Sequence, residues 1–276
     1  MSMAGQTGSL REIRGFAGNS SSFGGLDGLV GYSNNEITGL MMFGYGDVNY
    51  AIQALYATLV ALYYREMTGR GQFIDISQIE GVVTNLGEPI IDYLWNKRRV
   101  GPQENKHRYF CPHGIYPCKG ADRWVSIVVG SEEEWKGLCR AIQRLDLKED
   151  NRFKDMESRK KNEEELEQIL IQWTSERTPK EAAEILQKEG VASTPVYSIE
   201  ERDADMHFIE RNLFEEINHP EYGKAIIYHT PWKFDRFQRE LFPAPLLGQH
   251  NDYVFKKILG FSEEEIIQLK EEKVIF

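Results

Sequence analysis

From Val48 to about Met67 the chain reads as one long helix with almost no polar face. Ala51, Ile52, Ala54, Leu55, Ala57, Leu59, Val60, Ala61 and Leu62 run around it, interrupted by Gln53 and Thr58. A surface helix carries an apolar stripe, whereas a helix apolar on nearly every side has to be covered on most of them. It is not a membrane span, because the run falls short of the roughly 18 apolar residues a span needs. The helix therefore predicts a large body of protein packed around it. Directly ahead of it, in FGYGD, stands Asp47. Asp is among the preferred helix N-cap residues, so the plain reading of Asp47 is a cap. The sharper reading is a reagent opening onto a pocket.

The chain has 276 residues, room for one large or two modest domains, and an apolar fraction of 41%, ordinary for a globular protein. MSMAGQTGSLREIRG is polar and glycine-rich with no apolar centre, unlike a secretory leader, so a cytoplasmic protein is expected. Three irregularly spaced cysteines, Cys111, Cys118 and Cys139, do not make a disulfide framework. CPHGIYPC offers Cys111, His113 and Cys118 but lacks paired zinc-site spacing and a fourth ligand, so no metal site is expected. A formal net charge of -10 argues against a nucleic-acid binder. A polyanionic ligand would need a local basic patch.

After the long helix, TGRGQ supplies a glycine stop and FIDIS (Phe73 to Ser77) alternates like a short strand. A second helix is expected from Gln78 to about Asn96. KRRVGPQENKHR (Lys97 to Arg108) is basic and broken by Gly101 and Pro102, as a linker would be. His113 to Gly130 reads as a hairpin turning at KGAD. Ser131 with Glu134, Thr178 with Glu181, and Ser262 with Glu265 spell capping boxes at three helix starts. The charged stretch from Lys148 to Glu167 is expected to be a solvated helix face. Strand-like arms flank HPEYGK, and PAPLLG leads extended into the C-terminal helices, the first from about Asn251 to Leu259.

Four segments together resemble the class III CoA-transferases (CaiB/BaiF, formyl-CoA transferase-like): GYGD before the apolar helix, TGRGQFIDISQIEG, PHGIYPCKGADRWVSIVVGSEEEWKGLC and PAPLLGQHNDYVFKKILGFSEEEI. They occur in that family's order over essentially the whole chain. The resemblance implies an α/β fold. Residues 1–96 would be part of a large domain with the catalytic acid and buried helices, and 97–106 a linker. Residues 107–198 would form a small α+β domain and 199–276 a second linker and a return to the large domain. It implies interlocked oligomers.

It also implies that Asp47 is the nucleophile. The carboxylate attacks an acyl-CoA thioester, forms an anhydride and then an aspartyl thioester, and passes CoA to an acceptor acid. The CoA thioester is then a substrate, and no cofactor is expected. Gly44 and Gly46 leave the approach to Asp47 open. Asn19, Ser20 and Ser21 are candidates to line the acyl pocket, and Arg98, Arg99 and Arg108 to touch CoA phosphates. The related α-methylacyl-CoA racemases use a histidine in an AGHD segment, but here that segment is Ala17, Gly18, Asn19 and Ser20, and an amide is no base near neutral pH. A non-catalytic scaffold subunit would have no use for Asp47 beyond a cap.

Family members carry a nucleotide-fold segment ahead of the part matching Ser2 to Gly8. This chain is therefore expected to be either a shortened piece or, preferably, one subunit of a split transferase. The partner would bring that segment, in a hetero-oligomer with two copies of each chain.

Overall fold

The computed structural model describes residues 2–33, 36–40, 44–237 and 240–275. The chain divides into two units, Met1–Val196 and Tyr197–Phe276. In the first, α1 (Ala17–Phe23) leads through a 3-10 turn to a short antiparallel hairpin, β1 (Gly31–Ser33) with β2 (Glu36–Ile37). The long helix follows as α2 (Tyr45–Thr68), ended by Gly69 in the left-handed conformation at φ 72°. α1 packs on α2 and on α3 (Gln78–Val83). Gly24 permits that approach, since a Cβ there would lie 2.8 Å from Val82 Cγ1.

Two expected elements change, while α2 is left open by this chain, as a helix whose cover comes from outside it would be: of its residues, Gly46 and Ala54 are buried, while Ile52, Leu55, Tyr56, Leu59 and Tyr63 are open to solvent. Its main neighbours, α1 and α3, cover one side only. FIDIS forms no strand, because a strand is completed by a hydrogen-bonded neighbour and among the described residues only Ser2 pairs there, in an isolated parallel bridge with Ser77. The helix expected from Gln78 to Asn96 is two, α3 and α4 (Gly87–Asn96). Thr84 Oγ1 and Asn85 Nδ2 donate back to the Gly81 carbonyl at 2.7 and 3.0 Å, closing the first helix locally.

Beyond the linker, β3 (His113–Pro117), β4 (Trp124–Val128) and β5 (Ala192–Pro195) form an antiparallel sheet in that order. The KGAD turn takes Gly120 and Asp122 to positive φ, 112° and 53°. α5 (Glu132–Ala141), α6 (Met156–Lys161), α7 (Glu163–Thr174) and α8 (Pro179–Lys188) complete this part. The capping boxes at Ser131 and Thr178 form as read. Val125 and Ile127 of β4, Leu138, Phe153, Leu170 and Leu186 share one core.

Within the stretch expected to be solvated, Arg159 is 0% exposed. Its guanidinium lies 4.7 Å over the Trp135 ring, pairs with Glu132 at 2.5 Å, and donates to the Phe153 and Cys111 carbonyls. Charge density along the sequence carries no record of which cation turns inward. This one does because carbonyls and a carboxylate satisfy its donors.

In the second unit, α9 (Ile199–Ala204) and α10 (Met206–Glu210) precede the hairpin β6 (Phe214–His219) and β7 (Gly223–Tyr228). The Tyr228 hydroxyl donates to Asp203 at 2.7 Å and accepts from Arg202 at 2.9 Å, tying α9 to β7. Asp252–Ile258 winds as a π-helix, and Ser262 caps α11 (Glu263–Glu271) with Glu265 completing the box. No helix among the described residues is long and apolar enough to cross a membrane.

Candidate functional site

Asp47 is not the N-cap. Gly44 holds that position, and Tyr45, Gly46 and Asp47 make the first turn of α2. The Asp47 N–H donates to the Gly44 carbonyl at 3.1 Å, which closes that turn and leaves the side chain free of a capping role. The Asp47 residue is exposed and Gly46 beside it is buried. The first turn of a helix points unpaired N–H groups and the positive end of the dipole outward, and Asp47 stands in that turn.

Oδ1 of Asp47 accepts from Gln78 Nε2 at 2.5 Å. A carboxylate only accepts, so the amide must turn its NH2 toward it. Gln78 is 7% exposed and is the first residue of α3, which Ser77 Oγ caps by accepting from the Glu80 N–H. The extended N-terminus runs alongside: Gln78 N–H donates to the Ser2 carbonyl at 3.1 Å and Ile79 N–H to that of Met3 at 3.0 Å. A polar clasp then fixes α2 against α3. Asn49 Nδ2 and Gln53 Nε2 both donate to the Gly81 carbonyl, at 2.8 and 3.2 Å. Gly81 leaves room for it, since a Cβ there would lie 3.1 Å from Gln53 Oε1.

The other expected site residues fall in three places. Asn19 is exposed at the start of α1, and its Oδ1 accepts from the Phe16 N–H at 2.9 Å. Ser20 and Ser21 are buried, and the Ser21 hydroxyl lies 3.0 Å from both the Gly18 carbonyl and Asp27 Oδ2. Asp27 also takes the Ser22 hydroxyl and the Leu40 N–H, bracing the segment that leads toward α2. Arg98 and Arg108 both turn onto Asp92 of α4, at 3.0 and 2.9 Å, while Arg99 is exposed. Asn96 adds a 2.7 Å hydrogen bond to Asp92. That bond, with Arg108, holds the Asp92 carboxyl below the usual carboxylate range, against the opposing pull of burial.

Gln78 and Asp27 were not singled out by the sequence. Gln78 lies 31 residues from Asp47, at a helix start inside one of the family-like segments, and nothing in its spacing announces the pairing. Asp27 sits among glycines as any loop acid would.

A family model for CoA-transferase family III matches residues 1–251. The chain belongs to that family. Among curated relatives of this family III chain, a probable CoA-transferase of Mycobacterium tuberculosis is 35% identical over 79% of the chain and 27% of its own length. The succinyl-CoA–L-malate CoA-transferase beta subunit of Chloroflexus aurantiacus is 28% identical over 98% of the chain and 67% of its own length. A CAIB/BAIF family protein from Brucella suis superposes with a TM-score of 0.80 at 22% identity, over 93% of this chain and 66% of that one. That likeness establishes the mixed α/β fold. The family III chain thus spans about two thirds or less of these proteins.

Proposed function

We propose that this chain supplies the nucleophile of a class III CoA-transferase, with Asp47 as the residue that forms the covalent intermediates. The observation that carries the reading is the Asp47 carboxylate itself, held by Gln78 on the first turn of α2 and free of a capping duty.

The chemistry balances in four steps. Asp47 Oδ2 attacks the acyl-CoA carbonyl and expels CoA thiolate, leaving an acyl-aspartyl anhydride. The thiolate attacks the Asp47 carbonyl carbon, releases the donor acid as its carboxylate and leaves an aspartyl-CoA thioester. An acceptor carboxylate then attacks the same carbon and expels the thiolate, which finally attacks the acceptor's acyl carbon and restores the Asp47 carboxylate. No resident cofactor enters this route.

The reading includes a partner subunit. The apolar face of α2 and, on α4, the exposed Ile91, Leu94 and Trp95 are apolar surfaces of the kind soluble proteins keep covered. We assign its cover to a polypeptide corresponding to the part of the relatives that this chain does not span. That part would bring cations for CoA phosphates, since two of the three linker arginines are engaged with Asp92. A hetero-oligomer with two copies of each chain is the assembly we propose, and a chain related to this one is named as a beta subunit.

The deciding experiment incubates the complete enzyme with succinyl-CoA and a panel of dicarboxylate acceptors, then traps with hydroxylamine or borohydride. The modified peptide should be the one containing Asp47, and Asp47→Ala should lose both adduct and transfer. Substantial transfer by Asp47→Ala would sink the assignment.

A further inference from the structure

In the second and third steps above, the atom under attack is the carbonyl carbon of Asp47 itself. Once Oδ2 carries the acyl group, or has been replaced by sulfur, the remaining oxygen is Oδ1. Nucleophilic addition turns Oδ1 into an oxyanion. The group already on Oδ1 is the Gln78 amide, at 2.5 Å.

We propose that Gln78 is the oxyanion donor for the two tetrahedral intermediates built on the Asp47 carbonyl, an inference that rests on Asp47 being the nucleophile. The placement is preorganised. Gln78 is 7% exposed, its backbone is hydrogen-bonded to Ser2, and α3 is locked to α2 through Gly81, Asn49 and Gln53. A donor fixed before the reaction costs no reorganisation as charge develops, and its removal typically costs about 10²–10³ in kcat.

The same bond acts in the opposite sense in the first step. A donor on Oδ1 lowers the nucleophilicity of the whole carboxylate, but it leaves Oδ2 as the attacking oxygen and aims it. The oxyanion of that step, and of the last, forms on the substrate's acyl group. Gln78 therefore divides the four steps. Two depend on it as a donor and two do not.

The test uses Gln78→Leu, of similar size and without a donor, and Gln78→Glu, whose carboxyl donates only when protonated. Both are assayed in the complete enzyme with the acyl-CoA donor that the wild type uses, succinyl-CoA being tried first. For Gln78→Leu we expect kcat to fall about 10²–10³-fold with KM for acyl-CoA little changed. Asp47 should still be labelled, with the adduct shifted from the CoA thioester toward the acyl anhydride. For Gln78→Glu we expect activity that climbs as pH falls relative to the wild type, a change that the loss of a merely structural residue would not create.

Gln78→Leu turning over within a few-fold of the wild type, or Gln78→Glu keeping the wild-type pH profile, overturns the oxyanion role. If the wild type itself gives no Asp47 adduct, the nucleophile reading fails and this inference with it. The two failures are told apart by that wild-type control.

Discussion

Arg108 Nη1 lies 2.9 Å from Asp92 Oδ2, and through this contact a linker arginine and a helix acid neutralise one another at the end of α4. Arg98 takes the other oxygen and Asn96 shares it. Because the Asp92 carboxyl is held below its usual range, it favours folding above about pH 4, where the unfolded chain's carboxyl is ionised too. That contribution is lost as pH falls through the lowered native value. Melting temperature should accordingly drop between about pH 4 and pH 2 more steeply in the wild type than in Asp92→Asn. Parallel curves for the two would show that the cluster contributes nothing to acid sensitivity.

Arg159 should be among the most sensitive positions in the small sheet-and-helix part. Arg159→Ala leaves the Phe153 and Cys111 carbonyls without their donor and empties the space over Trp135, at a cost of about 3–5 kcal/mol. Arg159→Met should recover part of that loss, since an apolar side chain of similar volume refills the space with no charge to desolvate. Denaturant unfolding followed by Trp fluorescence measures both.

Gly137 of α5 faces the end of α8 at a distance only glycine allows. A Cβ there would stand 2.3 Å from the Glu189 carbonyl oxygen, a backbone atom that cannot swing aside. Gly137→Ala should destabilise by about 1–3 kcal/mol or more by forcing the helix off its seat. Unfolding midpoints unchanged within error would contradict that packing.

The three thiols should be unreactive in the native chain. Burial pushes Cys111 up to about 12 and Cys118 and Cys139 to about 11, so almost no thiolate is present at pH 8. Iodoacetamide at that pH should add nothing by intact mass until denaturant is present, and then three groups. Rapid modification of the folded protein would mean the core opens.

Prepared without a partner, the chain should self-associate and bind a fluorescent hydrophobic probe through the exposed face of α2. Leu55→Lys with Leu59→Lys should cut probe binding and leave the small-domain core intact. A probe-silent monomer that transfers CoA unaided would refute the partner proposal.

The sequence by itself determined the features that depend on a few neighbouring residues. The capping boxes at Ser131, Thr178 and Ser262, the hairpin through KGAD and the arms around HPEYGK all formed where their local chemistry placed them. The capping boxes close over three positions and each hairpin pairs two neighbouring strands across a single turn, so the signal lies within one short window. The family was legible for a related reason, since its four segments are short and ordered.

Tertiary structure decided the rest. FIDIS alternates as a strand should, yet a strand exists only beside a partner, and the described residues offer it a single bridge, from Ser2 to Ser77. Arg159 sits in a run of charge that reads as surface, and its burial follows from carbonyls contributed by Phe153 and Cys111. Asp47 was visible as a candidate, but Gln78 was not. Thirty-one residues separate the two, and only the packing of α3 on α2 brings the amide to the carboxylate, a coupling for which linear spacing carries no trace.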